Sequence, residues 1–209
     1  MKFHKKSKLL SINTDLTEHE IKTLCNQICR SISMRYALHL MKYGKHNGLG
    51  KARIDQLFVD FYIEYRNYPF YKKIKSTTES HEVDLSSAGI LTFPWDIDRL
   101  EGRLIVGRRK DFKWKYDSSN QFVTHIKPFD IYLVTGGNHS IFHGMFFSGG
   151  TIQSNETIDY TSILQDFDLT EDCFVNKENE PIEKSFFVKM NPEMEILFLL
   201  GKKLIEEPS

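Results

Sequence analysis

Apolar residues in the N-terminal third recur at helical spacing. In "TDLTEHEIKTLCNQICRSISMRYALHLMKYG", Ile21, Leu24, Cys25, Ile28 and Ile32 fall on one stripe. Thr17 and Glu20 precede it in capping-box spacing, and Gly44 ends it. This pattern predicts a helix over Thr17 to Tyr43. After the glycine-marked loop "KHNGLGK", the positions Ile54, Leu57, Phe58, Phe61, Tyr62 and Tyr65 repeat the period until Pro69 interrupts it. A second helix over Ala52 to Asn67 follows, and with it an antiparallel helix pair burying Ile21, Leu24, Ile28, Leu57, Phe58 and Tyr62. The stretch "YKKIKSTTESHEVDLSS" shows neither period and reads as a polar connector. It sets a soft subdivision between a helical part, 1–75, and a mixed part, 85–209.

In the mixed part, "PWDIDRLEGRLIVG" has Pro94 at a first-turn position with acidic residues behind it, which predicts a helix. "QFVTHIK" and "DIYLVT", joined by Pro128, read as adjacent strands. A helix from Asn138 to Phe147, ended by Gly149 and Gly150, comes next, and "TIQ" and "ETIDY" are extended. "CFVNKENEPIEKSFFVKM" reads as a hairpin around Asn176 to Pro181, and Asn191, Pro192 and Glu193 open a C-terminal helix running to Leu204. The fold class is α+β, with the helix pair packed on a small mixed sheet and a C-terminal helix closing a single domain over 1–209.

Composition narrows the partners. A chain of 209 residues with 40 % hydrophobic and 27 % charged content folds around a sizeable core. Lys+Arg and Asp+Glu are equal at 28 each, so no global field draws it to nucleic acid or an anionic membrane, and any such affinity must be local. The three cysteines form no CxxC pair, and Cys25 and Cys29, four apart on a helix, read as buried thiols. Neither a signal-peptide run nor a membrane-length apolar segment is evident, so a cytoplasmic location without a membrane partner is expected.

The candidate chemistry sits in "IYLVTGGNHSIFHGMFFSGG". Gly136 and Gly137 permit a sharp turn with backbone N–H groups close to a ligand, and the helix that follows makes a possible anion site with Ser140. Asn138 is the expected N-cap, and His139, in the first turn, can exchange protons near neutral pH. The plain alternative is a tight turn. His139 and His143 stand at the spacing of two metal ligands, but His125 and Asp130 lie on other segments and no third ligand follows, so no metal is assigned and the cofactor stays unspecified. "GRRKDFKWKYD" interleaves Arg108, Arg109, Lys110, Lys113 and Lys115 with Phe112, Trp114 and Tyr116, a pattern suited to single-stranded nucleic acid. Its alternative is an alternating strand with the rings inward and the lysines in water. Arg108 and Arg109 are candidate anion ligands, and Asp117 and Asn120 candidate partners of His139.

The order of strands, glycine turn and helix across Gln121 to Tyr160 resembles the core of the ParB/sulfiredoxin-like superfamily. Sulfiredoxins carry a Gly-Gly-Cys-His-Arg turn there, and ParB proteins a Gly-x-Arg-Arg turn that holds nucleotide phosphates. In "GGNHS", Asn138 occupies the cysteine position and Ser140 the arginine position, so the resemblance carries over only Gly136, Gly137 and His139 and implies no thiol chemistry. "PWDIDRL", "WKYDSSN" and "GGNHSIFHG" together resemble an uncharacterised bacterial domain family of unknown function with a GGNHSI motif. That likeness implies a bacterial, phage or plasmid setting. Two functions are expected on these grounds. One is a phosphate-recognising protein acting on a nucleotide or nucleic acid, with His139 and Asn138 as catalytic candidates and His139 as general acid or base. The other is a noncatalytic interaction protein of a mobile element that inhibits a host nucleic-acid enzyme, of the anti-CRISPR kind, with "GGNHS" as a structural elbow.

Overall fold

The computed structural model describes residues 16–44, 57–58, 74–109 and 111–206. Helix α1 (Glu18–Tyr43) begins with the expected capping box: the Glu20 N–H donates to Thr17 Oγ1 at 3.3 Å, and the Thr17 N–H donates to the Glu20 carboxylate at 2.8 Å. Gly44, at φ 69°, closes it. Its buried stripe runs through Ile21, Cys25, Cys29, Ile32, Tyr36 and Leu40. Leu24, expected on that face, is 42 % exposed, because the stripe is centred on the i, i+4 series from Ile21 and leaves Leu24 at its edge. The second predicted helix, Ala52 to Asn67 with Tyr62, lies outside the described residues except for Leu57 and Phe58, and both of these are buried.

The strands in chain order are β1 (Lys75–Thr77), β2 (Glu82–Asp84), β3 (Gly89–Leu91), β4 (Phe122–Lys127), β5 (Ile131–Gly136), β6 (Thr151–Gln153) and β7 (Glu156–Asp159). Five of them form a mixed sheet in the order β1-β7-β4-β5-β3, with β3 parallel to β5 and β4 antiparallel to β5. β2 and β6 make a separate antiparallel pair. The remaining helices among the described residues are α2 (Ile97–Gly107), α3 (Asn138–His143), α4 (Thr161–Asp166), α5 (Phe186–Met190) and α6 (Glu193–Glu206). α3 runs straight into a π-helical turn, Gly144–Ser148. A small antiparallel sheet of β8 (Phe167–Leu169), β9 (Phe174–Asn176) and β10 (Pro181–Ile182) completes the C-terminal part.

Alternation along β5 divides the interior in two. Ile131 and Leu133 join the larger core with α1, Phe58, Phe129, Tyr160 and α6, while Tyr132 and Val134 join a second core with Val83, Ile90, Ile141, Met145 and Ile152. Ser33 of α1 ties the helix to β3: its hydroxyl donates to the Ile90 carbonyl at 2.8 Å and accepts the Thr92 N–H at 2.9 Å. The architecture is thus mixed α+β, with helices on both faces of the sheet.

Several expectations need correction. The supposed connector, residues 71–87, holds β1 and β2; β1 joins the main sheet at its edge, so the soft subdivision falls across a sheet rather than in a linker. Both strands are three residues long and mostly exposed, which leaves no hydrophobic alternation to read. α2 starts at Ile97, capped by Asp96, whose carboxylate accepts the Arg99 N–H at 2.9 Å; Pro94 lies ahead of the helix, because the aspartate satisfies a first-turn N–H and proline cannot. The "KDFKWKYD" stretch alternates in burial as expected, yet forms no ladder over its described residues.

Candidate functional site

β3 and β5 run parallel, and each delivers the chain from its carboxyl end into a helix: β3 through Phe93 into α2, β5 through Gly136 and Gly137 into α3. The two glycines are required by close approach. A Cβ on Gly136 would lie 2.5 Å from the Phe122 ring, and one on Gly137, whose φ is 73°, would lie 2.7 Å from Gln121 Cγ. Gln121 also ties the turn together, accepting the Asp117 N–H at 3.0 Å and donating to Ser140 Oγ at 2.9 Å.

Gly137, not Asn138, is the N-cap of α3. Asn138 is the first helical residue and turns its Oδ1 inward, where it accepts the Phe93 N–H at 2.7 Å and the Thr92 hydroxyl at 3.1 Å. The amide oxygen thus holds the end of β3. Its Nδ2 has no protein partner among the described residues.

His139 is only 8 % exposed. Its Nε2 lies 3.1 Å from both the N–H and the carbonyl of Asp96, so either tautomer bonds to the backbone of the residue that caps α2. Its ring meets Trp95 edge-on, with centroids 5.5 Å apart. Burial lowers the His139 pKa, the Asp96 backbone opposes that shift, and the guanidinium groups of Arg99 and Arg103 add to it. The ring is therefore a neutral strut between α3 and the start of α2. His143 is engaged separately, with Nδ1 3.2 Å from Ser148 Oγ and its ring 5.1 Å from Phe112. Burial lowers its pKa as well, followed by Arg103. Among the described residues no three His, Cys, Asp or Glu side chains converge as a metal site.

Between α2 and the turn opens a cleft of about 650 Å³. Arg99, Arg103 and Val106 of α2, with Trp95 just ahead of it, form one wall, Gly136 to Ser140 the floor, and Asn120 and Thr135 the rim. Among the described residues no carboxylate lines it. Arg99 lies over the Trp95 ring at 4.9 Å, and neither Arg99 nor Arg103 has a carboxylate partner among the described residues. These two arginines were legible as an i, i+4 pair in "DRLEGRL", on one helix face with Asp98 and Glu101 off it, but nothing in the sequence placed that face against the turn.

The other sequence candidates fall elsewhere. Arg108 and Arg109 are exposed at the end of α2 and do not line the cleft. Trp114 donates its Nε1–H to the Ser140 carbonyl at 2.9 Å and packs in the second core, so its ring is not a stacking platform. Asp117 accepts the Ser119 N–H and hydroxyl at 3.0 and 2.6 Å, and the partner of His139 is Asp96 instead. Asn120 alone of the expected partners reaches the cleft. A second cleft, about 470 Å³, lies by His125 and Lys127. Both of its lysines are paired, Lys22 with Glu18 at 2.7 Å and Lys127 with Glu79 at 3.2 Å, and His125 Nε2 lies 2.9 Å from Asp130 Oδ1. Among the described residues no helix is long and apolar enough to cross a membrane.

No curated protein and no solved structure matches the chain. A family model does match, over residues 1–209, and the chain belongs to that family, DUF6710, a family of unknown function.

Proposed function

We propose that the protein is a cytoplasmic phosphate-recognising protein that takes a nucleotide or nucleic acid in the cleft between α2 and the Gly136–Ser140 turn. The observation that carries this reading is the pair Arg99 and Arg103, two guanidinium groups in a cleft where, among the described residues, they have no carboxylate partner and no acid joins the lining. Two forked cations left in that state favour a bidentate anion, phosphate above all. Placement supports it: the cleft lies outside the carboxyl ends of the parallel strands β3 and β5, where mixed and parallel sheets commonly hold ligands. The same turn carries the resemblance to the ParB/sulfiredoxin-like superfamily, and the α2 arginines supply the charge that Ser140 lacks. The reading is one of recognition. His139, held by the Asp96 backbone, positions the start of α2 and with it Trp95 and Arg99.

Titration calorimetry with pyrophosphate and with nucleoside mono- and triphosphates tests it. Arg103→Ala and Arg99→Ala should each weaken binding by about 10- to 100-fold, the loss of a charge-assisted hydrogen bond. Arg108→Ala should leave these small ligands unaffected. Equal affinities for Arg103→Ala, Arg99→Ala and the unmodified protein would overturn the assignment of the cleft.

A further inference from the structure

Beyond the cleft, two sets of residues call for a ligand longer than one nucleotide. The first is aromatic. Trp95 and Phe122 are 55 % and 41 % exposed, Trp95 lining the cleft beside His139 and Phe122 standing next to Gly136. Large rings in water beside a cationic cleft offer flat faces on which bases stack. The second is cationic. After Arg103, α2 ends and the chain continues through Arg108, Arg109, Lys113 and Lys115, all exposed, with Asp111 as the sole acid between Arg103 and Tyr116. None of these four has a carboxylate partner among the described residues, in a chain whose net charge is zero and whose other lysines are widely paired.

The segment is also anchored to the site. The rings of Phe112 and Trp114 turn inward, the first against His143 and the second bonded to the Ser140 carbonyl, while Lys113 between them and Lys115 after them stay in solvent. The backbone carrying these cations is thereby held in register with the turn, so a polyanion that arrives has only their side chains left to order.

We infer that the ligand is a single strand of nucleic acid, with bases stacked on Trp95 and Phe122, one phosphate at Arg99 and Arg103, and the following phosphates along Arg108, Arg109, Lys113 and Lys115. The inference rests on the cleft reading above and extends it. A single strand is required because the two rings can receive only unpaired bases.

The test is fluorescence anisotropy with end-labelled mixed-sequence DNA and RNA strands of two to twelve nucleotides, alongside a matching duplex and a labelled mononucleotide. Affinity should rise with length and level off near the length that spans both sets. With six cations engaged, log K should fall with log salt at a slope of about −4. Arg108→Glu combined with Arg109→Glu should weaken the long strand at least tenfold and leave the mononucleotide unchanged. Trp95→Ala and Phe122→Ala should each weaken the strand by about tenfold, with circular dichroism showing the native fold. If the mononucleotide binds as tightly as the longest strand, or the duplex matches the single strand, this inference is overturned and the cleft reading stands. If no phosphate ligand of any length binds, both are overturned.

Discussion

Replacing Asn138 by alanine separates the part this residue plays in the fold from the part it was expected to play in chemistry. Its Oδ1 accepts two hydrogen bonds, from the Phe93 N–H at 2.7 Å and the Thr92 hydroxyl at 3.1 Å. The Thr92 hydroxyl has a second acceptor in the Asn138 carbonyl, also at 3.1 Å, and loses little when the side chain goes. The Phe93 N–H has no such reserve and is left unpaired in the interior, at a cost of about 1 to 3 kcal/mol. A total near 2 kcal/mol is expected for Asn138→Ala, a large share of a typical domain's stability that still leaves the protein folded. With a urea dependence of about 2 kcal/mol per molar, the unfolding midpoint should fall by about 1 M. Thr92→Val removes a donor without orphaning one and should cost clearly less. Urea denaturation followed by circular dichroism on both variants measures the difference. If Asn138→Ala shifts stability by less than about 0.5 kcal/mol, or Thr92→Val costs as much, the amide is not what holds the end of β3.

Two further outcomes follow from burial. Burial holds the folded-state pKa values of His139 and His143 below the ordinary histidine value, so as acid is added the unfolded chain takes up their protons first. Their contribution is fully present above about pH 6.5 and is lost as pH falls through the folded-state values; the urea midpoint should drop between pH 7.5 and 5.5, and a flat or rising midpoint would contradict the burial assigned to both rings. In the larger core, Leu57→Ala should cost about 2 to 5 kcal/mol, whereas Leu24→Ala, at an exposed position, should stay within about 0.5 kcal/mol; comparable losses at both sites in urea unfolding would refute the assigned face of α1.

The sequence carried some elements clearly and others not at all, and the division has physical causes. α1 was legible because Thr17, Glu20 and Gly44 act through local hydrogen bonds, and β4 and β5 because each is a six-residue run rich in β-branched and aromatic residues. β3 was not: Gly-Ile-Leu has every residue buried, so it shows no period, and only its pairing with β5 and its contact with Ser33 make it a strand. α5 hid inside the supposed hairpin for a similar reason, being five residues capped by Ser185. The joint at Gly136 and Gly137 was found from its glycines alone. The roles of its neighbours were misread, because the partners of Asn138 and His139, Phe93 and Asp96, stand more than forty residues away and no spacing announces them. Arg99 and Arg103 were missed because helical periodicity tells which residues share a face, never what that face meets.

The Ser33 hydroxyl has a consequence for how the molecule behaves in a crowded solution. β3 is the terminal strand of the sheet, and its outer carbonyls and N–H groups would otherwise be a template for another chain. By donating to Ile90 and accepting from Thr92, one hydroxyl reproduces the two bonds that a residue of a neighbouring parallel strand would make. Arg30, one turn earlier on α1, donates to the carbonyls of Leu85 and Ala88 just ahead of the strand. A helix thus stands in for the missing strand and denies that edge to intermolecular pairing, so protection against aggregation at this end of the sheet is built from side chains rather than from backbone.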